Sequence, residues 1–379
     1  MQFELDADQT ALQESLRRFF AQEYDFESRR GFLAAPHGTS AAIWQSLADQ
    51  GALAIAIPEE HGGFGGPVET MLVMEEIGRA LVLEPYLSTL VLCGSLLAAR
   101  GRADQQADWF VRIAAGNGKL ALAHTERDAR YTLGFVSTTA RLSGDGYVLN
   151  GTKSTVLDGA VADQFLVSAR LQPHGQVVAF FVDPRAPGLE RVSYRTQDGR
   201  TAADLTLRDV KVARESLLGD ESDALPAIER SIERGIAALC AEAVGAIEAL
   251  NHATLEYTKS RKQFGQPIAR FQALQHRMAD MFVFATQARS MALLATGRCS
   301  TADAALRHHD ISAAKAFIGK AARFIGQQAV QLHGGMGIAD ELSVSHYFKR
   351  LTMINATFGD TDHHVAAISE GILAEGDGS

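Results

Sequence analysis

The segment QLHGGMG at residues 331–337 combines an amide side chain with three closely spaced glycines. Because glycine lacks a Cβ, backbone N–H groups in such a segment can approach a phosphate group closely. A turn between two helices that needs positive φ angles explains the same glycines equally well. The residues alone therefore leave two interpretations open, a phosphate-binding segment and a structural turn.

The run TFGDTDHH at 357–364 places two aspartates beside two histidines. Adjacent residues on a helix point about 100° apart, so His363 and His364 are poorly placed to bind one metal ion together. We therefore expect no metal site here. The glycine-rich HGGFGGP at 61–67 lacks the GK[ST] residues that bind nucleotide phosphates and magnesium, so we interpret it as a structural turn.

The composition narrows the functional classes further. The 379 residues include 36 Lys+Arg and 45 Asp+Glu, a net charge of −9 that does not favour nucleic acid as a partner. Hydrophobic residues make up 46% and charged residues 21%, as in an ordinary globular protein of two or three domains. The three cysteines, Cys93, Cys240 and Cys299, are odd in number and far apart, which predicts no disulfide framework and a reducing compartment.

The N-terminus indicates where the protein is expected to work. MQFELDADQTALQESLRRFF is acidic and amphipathic and lacks the pattern of a signal peptide. The longest apolar run, Ala80 to Ala99, is interrupted by polar residues and Pro85, which favours a buried helix and turn over a membrane span. We therefore expect a cytoplasmic protein without a membrane partner.

The positions of apolar residues divide the chain into three blocks. Residues 1–117 have apolar side chains spaced by three and four, as in Leu12, Leu16 and Phe20, which predicts a helical domain. Residues 118–218 contain short runs of Val, Leu, Phe and Thr separated by turns such as SGDG at 143–146, which predicts an antiparallel β domain. The helical spacing returns over residues 219–379.

Three longer segments in this order resemble the acyl-CoA dehydrogenase family. The first is IPEEHGGFGG at 57–66 with MEEIGRALVLEP at 74–85, and the second is SRKQFGQPIARFQALQHRMADM at 260–281. The third is QQAVQLHGGMGIADELSVSHYFKR at 327–350. The resemblance implies an α+β multidomain fold, with an N-terminal helical domain, a middle antiparallel β-barrel-like domain and a C-terminal four-helix bundle.

The same resemblance implies a cofactor, a substrate and partners. These are FAD, a CoA thioester, a tetrameric assembly and an electron-transfer flavoprotein as electron acceptor. In this family a helix carrying RxQFGxPI reaches the pyrophosphate and adenine end of a neighbouring subunit's FAD, which gives Arg261 a phosphate-binding role. The other residues implied at the cofactor are Gln263, Phe264, Ile268, Phe271, Gln272, Gln331, Gly334, Gly335, Thr361 and His363.

The chain departs from the family pattern at the catalytic base. The family removes the α-proton of the substrate with a glutamate, which usually precedes Gly-Thr near the C-terminus; Gly359 stands at that position. Some members carry the base on the first helix of the C-terminal bundle, where this chain has Gly235. Glu233 lies two residues earlier, a rotation of about 200° on a helix. Glu233 and Asp360 are the remaining candidates, and the base stays unassigned.

The β domain departs as well. The family's TEPxxGSD segment reads HTERDARYTL here, so Thr125 and Glu126 are kept and the Gly-Ser-Asp run is lost. The family's KxWIT segment reads KSTVL, so Lys153 is kept while Thr155 replaces the tryptophan that covers the flavin and Leu157 replaces the threonine.

These departures resemble the smaller, non-catalytic type of subunit in heteromeric dehydrogenases acting on steroid or dicarboxylyl CoA thioesters. The expectation is an α2β2 complex with a homologous larger subunit, or else a homotetramer. Two alternatives stay open. The chain is a silent scaffold that completes its partner's FAD site, or a flavin oxidase or monooxygenase on the same fold.

Overall fold

The computed structural model describes residues 4–376, with side chains described up to residue 373. The α-helices are α1 (Ala7–Glu23), α2 (Phe26–Ala34), α3 (Ala41–Asp49), α4 (Pro67–Ala80), α5 (Ser95–Arg100), α6 (Ala103–Ala114), α7 (Leu225–Ser260), α8 (Gln272–Arg298), α9 (Ala304–His333), α10 (Ser343–Ala356) and α11 (Thr361–Gly376). A π-helix, Leu87–Gly94, directly precedes α5. The strands are β1 (Leu120–Ala123), β2 (Thr139–Ser143), β3 (Gly146–Leu157), β4 (Gln164–Gln172), β5 (Val177–Val182), β6 (Leu189–Arg195), β7 (Thr201–Ala213), β8 (Lys262–Gln263) and β9 (Gln266–Pro267). The predicted order of helical, β and helical regions is confirmed.

The first helices begin where the sequence supplies caps. The Asp6 side chain accepts a hydrogen bond from the Gln9 amide at 2.8 Å, and the Gln9 side chain accepts one from the Asp6 amide at 3.2 Å. These reciprocal bonds satisfy two N–H groups that the first turn of α1 leaves free. Leu16 and Phe20, four residues apart in α1, are buried, so the helical spacing read from the sequence is confirmed here.

The sheet of the middle region is mixed rather than wholly antiparallel as predicted. Its strand order is β1-β4-β2-β3-β7-β6, with β5 also paired to β4. The hairpins β2–β3, β4–β5 and β6–β7 are antiparallel, whereas β1 and β2 both pair with β4 in parallel. Turn residues determine how sequential strands pair, but β1 and β4 are separated by two other strands, so no turn specifies their direction.

The chain divides into two compact units that do not follow sequence order. The first comprises Met1–Gly31, Pro67–Val82 and Ile236–Ser379; the second comprises Phe32–Gly66 and Leu83–Gly235. Helices α1 and α4 therefore share the first unit with the helices α8 to α11 from the other end of the chain. The sheet of β1 to β7 lies in the second unit.

Within the first unit, α4 and α7 cross with their backbones in contact. A Cβ on Gly78 would lie 1.9 Å from the Glu242 carbonyl oxygen, and a Cβ on Gly245 would lie 1.8 Å from the Glu75 carbonyl oxygen. Such distances leave no room for a side chain at either position. The two glycines therefore set how closely the helices approach.

The residues beside this crossing are carboxylates, and each has a guanidinium partner. Glu242 accepts hydrogen bonds from Arg350 Nε and Nη2 at 2.6 and 2.7 Å. Glu75 accepts two from Arg289 at 3.2 and 3.3 Å. A buried charge without a partner costs several kcal/mol, on the order of 3–5, so these arginines are required by the same crossing that buries the glutamates.

Helix α7 is the one helix within residues 4–376 that is long and apolar enough to cross a membrane, judged by length and composition. Of that apolar window, 72% is buried inside the protein. The same length and apolarity are typical of the central helix of a globular protein.

We predict that Gly245→Ala lowers the free energy of unfolding by about 3 kcal/mol, because the added methyl group meets a carbonyl oxygen that cannot move. The matched control is Gly371→Ala in α11, where no atom lies within 4 Å of an added Cβ. This control should raise stability by about 0.5–1 kcal/mol through helix propensity. Urea unfolding followed by circular dichroism measures both changes. Equal midpoints for Gly245→Ala and the parent protein would show that the helices do not touch here.

Candidate functional site

Residues 261–271 form an arm between α7 and α8 that has no fully buried residue. The sequence comparison predicted a helix for this segment, and that prediction is wrong: β8 and β9 form a two-stranded hairpin. The turn residues Phe264 and Gly265 have φ angles of +52° and +79°, as a type I′ turn requires. The Ile268 amide then donates to the Arg261 carbonyl at 2.8 Å, which closes the base of the hairpin.

The arm presents its side chains away from its own unit. Arg261, Gln263 and Gln272 are exposed, Ile268 and Phe271 are half-buried, and Phe264 at the tip is 91% exposed. The ring of Phe264 meets only the edge of Phe271, with centroids 6.0 Å apart. Arg261 is exposed and, within residues 4–376, its guanidinium has no ion-pair partner, so its donors are available to an anion.

The segment QLHGGMG lies close to the base of this arm. Helix α9 ends at His333, whose ring stacks on Tyr257 of α7 at 4.2 Å, four residues before Arg261. Gly334 has φ +61°, and no atom lies within 4 Å of a Cβ built on Gly334 or Gly335. A Cβ on Gly337 would instead lie 2.5 Å from the Val330 carbonyl oxygen. Gly337 is therefore required by the fold, whereas the space beside exposed Gly334 and Gly335 is open to a ligand.

The loop between α10 and α11 carries the position expected for the base. Phe358 and Gly359 both have positive φ angles, +58° and +106°. A Cβ on Gly359 would lie 2.5 Å from His363 Cδ2 and 2.7 Å from His364 Nε2. Both neighbours are ring atoms, and the His364 ring is itself buried. The position therefore lacks a carboxylate and also lacks the room for one.

The histidine that closes this position has a defined protonation state. His364 Nε2 lies 3.1 Å from the Phe358 carbonyl oxygen, and its Nδ1 lies 3.2 Å from Ser312 Oγ. A carbonyl can only accept, so Nε2 carries the proton and Nδ1 accepts from Ser312. Burial and the nearby Lys315 ammonium lower the pKa of His364 to about 3, so the ring is neutral at physiological pH.

The two remaining candidates for the base occupy different surroundings. Asp360 Oδ1 accepts a hydrogen bond from the His363 amide at 2.9 Å, so this carboxylate caps the start of α11. Glu233 is buried in the part of α7 that belongs to the second unit, as is Gly235.

Thr361 Oγ1 donates to the Asn355 side-chain oxygen at 3.0 Å, and the half-buried His363 ring meets His364 edge-on at 5.1 Å.

In the second unit, the retained residues Glu126 and Lys153 form a buried ion pair. Lys153 Nζ donates to Glu126 Oε1 at 2.8 Å, to Ser168 Oγ at 3.1 Å and to the His124 carbonyl oxygen at 3.2 Å. All three hydrogens of the ammonium are therefore used. Burial lowers the pKa of Lys153 to about 8, so Lys153 is still protonated at pH 7.

Glu126 is held by several donors besides Lys153. The backbone amides of Ser137 and Thr138 donate to it at 2.8 and 3.0 Å, and both hydroxyl groups also donate. Burial opposes its ionisation, but Lys153 and these hydrogen bonds lower the pKa of Glu126 to about 2. The cluster ties the segment after β1 to β2 and β3.

Thr155 stands on a bulge of β3, where the family pattern has tryptophan. The register with β7 shifts between Lys153 and Val156, and Thr155 has φ +53°. Its amide donates to Asp204 Oδ1 at 2.8 Å, and the Tyr194 hydroxyl donates to the same oxygen at 3.0 Å. The bulge therefore presents a small, exposed hydroxyl instead of an aromatic ring.

Models of known protein families match nearly the whole chain. Models of the acyl-CoA dehydrogenase N-terminal, middle and C-terminal domains match residues 6–117, 121–210 and 225–373. Acyl-CoA dehydrogenase FadE27 of Mycobacterium tuberculosis is 30% identical over 318 residues, covering 81% of this chain and 81% of that protein. The chain belongs to the acyl-CoA dehydrogenase family. Members of this family are flavin oxidoreductases that dehydrogenate CoA thioesters.

Two solved structures share the fold of this chain. A variant of the Tcur3481-Tcur3483 steroid acyl-CoA dehydrogenase is 29% identical with a TM-score of 0.87, covering 98% of this chain and 99% of the other. The ChsE4-ChsE5 complex from Mycobacterium tuberculosis is 25% identical with a TM-score of 0.88 and the same coverage. The predicted acyl-CoA dehydrogenase fold is confirmed.

The arm and QLHGGMG lie in the same unit, and the Tyr257–His333 stack joins QLHGGMG to the last turn of α7, directly before the arm. Sequence reasoning missed Tyr257 and also Lys315, whose Nζ donates to the carbonyl oxygens of Gly359 and Asn355 at 2.6 and 3.0 Å. One signal could have revealed Lys315. Lys315 lies at a position of α9 where the helical spacing predicts a buried apolar residue, four residues after Ile311 and three before Ile318.

We predict that Gly359→Glu destabilises the protein by about 3 kcal/mol and creates no dehydrogenase activity, because the side chain meets two rings and the backbone is left-handed. Gly335→Ala, a glycine substitution in open space, should change stability by less than about 0.5 kcal/mol. Thermal unfolding and anaerobic bleaching of bound flavin by acyl-CoA measure the two effects. A stable Gly359→Glu variant that bleaches flavin would contradict the steric argument.

We predict that Glu126→Gln lowers stability by about 3–5 kcal/mol at pH 7, because it leaves the Lys153 ammonium buried without a counter-ion. Since the folded pKa of Glu126 lies near 2, below its ordinary value of 4.5, its contribution is complete above pH 4.5 and is lost as the pH falls toward 2. The difference between variant and parent should shrink over that range.

The control for this pair is Glu190→Gln, which removes an exposed ion pair with Arg208. It should change stability by less than about 1 kcal/mol. Urea unfolding between pH 7 and pH 3 tests both variants, and a pH-independent difference for Glu126→Gln would argue against the ion pair.

Proposed function

We propose that this chain is one subunit of a heteromeric, FAD-dependent acyl-CoA dehydrogenase and that a homologous larger subunit supplies the catalytic base. One observation carries the proposal. The position of the missing base is closed by His363 and His364, while the arm to which we assign the binding of a neighbour's cofactor keeps Arg261 and Phe264 exposed.

The arm fits the phosphate end of FAD. The Arg261 guanidinium offers forked N–H donors with no competing carboxylate among the described residues, and such donors match a pyrophosphate. Gly334 and Gly335 leave open space beside their backbone N–H groups, where a phosphate oxygen can approach. Phe264 adds an apolar contact surface at the tip, with Gln263 beside it. We assign Ile268, Phe271, Gln272 and Gln331 to the same surface.

Thr361 and His363, in the first turn of α11, form a second group of proposed FAD contacts. FAD, when bound, accepts the hydride that leaves the β-carbon of the thioester. In this chain the hydroxyl of Thr361 and the imidazole of His363 are positioned by Asn355, Asp360 and His364. Their role is to bind and orient the cofactor.

Removal of the substrate's α-proton needs a carboxylate held within hydrogen-bonding distance of that carbon. Asp360 is already engaged as a helix cap, and residue 359 has no room for an acid. The likeness to the ChsE4-ChsE5 complex and to the Tcur3481-Tcur3483 steroid enzyme supports a second chain as the source of the base. We propose an α2β2 assembly, a steroid side-chain CoA thioester as substrate, an electron-transfer flavoprotein as acceptor and a cytoplasmic location.

Co-expression with the homologous larger subunit tests the proposal. The complex should bind FAD and oxidise acyl-CoA, whereas the chain alone should hold little FAD. Arg261→Gln in the complex should weaken FAD binding by about 30- to 100-fold, the loss of a charge-assisted bidentate contact of about 2–3 kcal/mol. Arg323→Gln, an exposed arginine of α9, is the control and should leave binding unchanged.

Carboxylate variants separate this proposal from a self-sufficient enzyme. Glu233→Gln and Asp360→Asn should each keep more than about half of the complex's turnover if the partner supplies the base, since a lost base costs about 10²-fold or more. The chain alone binding one FAD and oxidising acyl-CoA at the rate of the complex would overturn the proposal.

The number of FAD molecules bound per complex tests whether this chain is a scaffold that completes its partner's FAD site. Replacement of the flavin-covering tryptophan by Thr155, held on its bulge by Asp204, favours a chain that completes the partner's FAD site without binding a flavin ring of its own. One FAD per pair of unlike chains is then expected in the complex. Two would mean that both chains bind a flavin ring.

A further inference from the structure

We propose that Lys315 is the positioning residue of the loop 355–364, and that its ammonium group keeps Thr361 and His363 in place for the cofactor. The part concerning the cofactor rests on the proposed function. The anchoring of the loop does not.

Lys315 is fully buried in the middle of α9, yet it has no carboxylate partner among the described residues. Its Nζ donates instead to the carbonyl oxygens of Asn355 and Gly359, at 3.0 and 2.6 Å. A buried lysine is costly, so it persists where the groups that it binds would otherwise be unsatisfied.

One of these carbonyl groups belongs to a helix end. Helix α10 ends at Ala356, so Asn355 is among its last four residues, whose carbonyl groups lack partners within the helix. The negative end of the helix dipole also points at this place. The Lys315 ammonium therefore caps α10 from inside the unit.

The second carbonyl group belongs to the turn that follows. Phe358 and Gly359 both have positive φ angles, +58° and +106°. Lys315 binds the Gly359 oxygen, and neutral His364 binds the Phe358 oxygen through Nε2 at 3.1 Å. The positive φ costs Phe358, a non-glycine residue, about 1 kcal/mol or more, and these two hydrogen bonds hold the turn.

The consequence reaches the proposed cofactor contacts. Thr361 donates to the Asn355 side chain, and a Cβ on Gly319, one helical turn after Lys315, would lie 2.1 Å from that same oxygen. Helix α9 therefore contacts this segment at two positions. The Lys315 ammonium binds its carbonyl groups, and Gly319 leaves room for the Asn355 side chain. Releasing the Lys315 contact should free residues 357–364 while α9 remains folded.

The test compares Lys315→Met with Lys315→Gln, since both remove the charge but only glutamine keeps N–H donors. Lys320→Met is the control, because Lys320 lies on the exposed face of the same helix. Hydrogen exchange of amides 357–364 in the full chain, without any cofactor, is the first readout. The FAD dissociation constant of the complex with the larger subunit is the second.

We expect Lys315→Met to speed exchange of these amides by about tenfold or more and to weaken FAD binding by a similar factor, the loss of about one well-placed hydrogen bond to a charged group. Lys315→Gln should recover most of both, and Lys320→Met should change neither. Equal exchange in Lys315→Met and the parent chain would overturn the proposal, as would equal effects of methionine and glutamine.

The proposed function can fail separately. If the parent chain binds no FAD with any partner while Lys315→Met still frees the loop and Lys315→Gln restores it, the anchoring stands and the cofactor role falls. If Lys315→Met does not fold, Lys315→Gln carries the test: slow exchange in that variant supports the anchor, and fast exchange overturns it.

Discussion

The close crossing of α4 and α7 is the constraint on which the first unit depends. Because Gly78 and Gly245 bring two backbones into contact, the carboxylates on either side of them have no route to solvent and require arginines from elsewhere in the chain. Those arginines come from α8 and α10, so a contact between two helices determines where two more must pack. Helix α7 then leaves the crossing and ends at Ser260, immediately before the arm. The helix that leads into the arm is thus packed through two positions, Gly78 and Gly245, that have no side chain.

The two kinds of site residue differ in how they are built. The arm is a local structure: a two-residue turn, one closing hydrogen bond and side chains directed outward. The loop near Gly359 is the opposite, since its geometry is imposed by Lys315 from α9 and by two histidines from α11. A local structure whose side chains are exposed can contact another molecule, whereas the segment around Gly359 is held by contacts within its own chain. This contrast is the physical basis of our proposal that the arm completes a cofactor site on a neighbouring subunit.

Much of the fold was predictable because it follows from the spacing of apolar residues and from the glycine and proline residues that end helices and strands. The helical regions, the hairpin beside SGDG and the end of α9 at the glycines after His333 are of this kind. Two features could not be predicted. The parallel pairing of β1 with β4 joins strands that are not sequential. The hairpin at 262–267, where a helix was expected, depends on a left-handed Phe264. In the site, the sequence revealed that residue 359 is glycine. That a glutamate could not stand there required the positions of His363 and His364, which lie beyond a turn that no local pattern specifies.

The closed position at residue 359 also bears on how such a chain can change over generations. Placing an acid there in one step creates a clash with two rings, and trimming the rings first removes the hydrogen bond that holds the Phe358 carbonyl oxygen. Each single substitution is therefore disfavoured, and an acid at residue 359 requires simultaneous changes at His363 and His364. Under the proposed function, this steric barrier would keep the chain dependent on a partner for its catalytic base, because every single-substitution route back to a base at this position passes through a less stable protein.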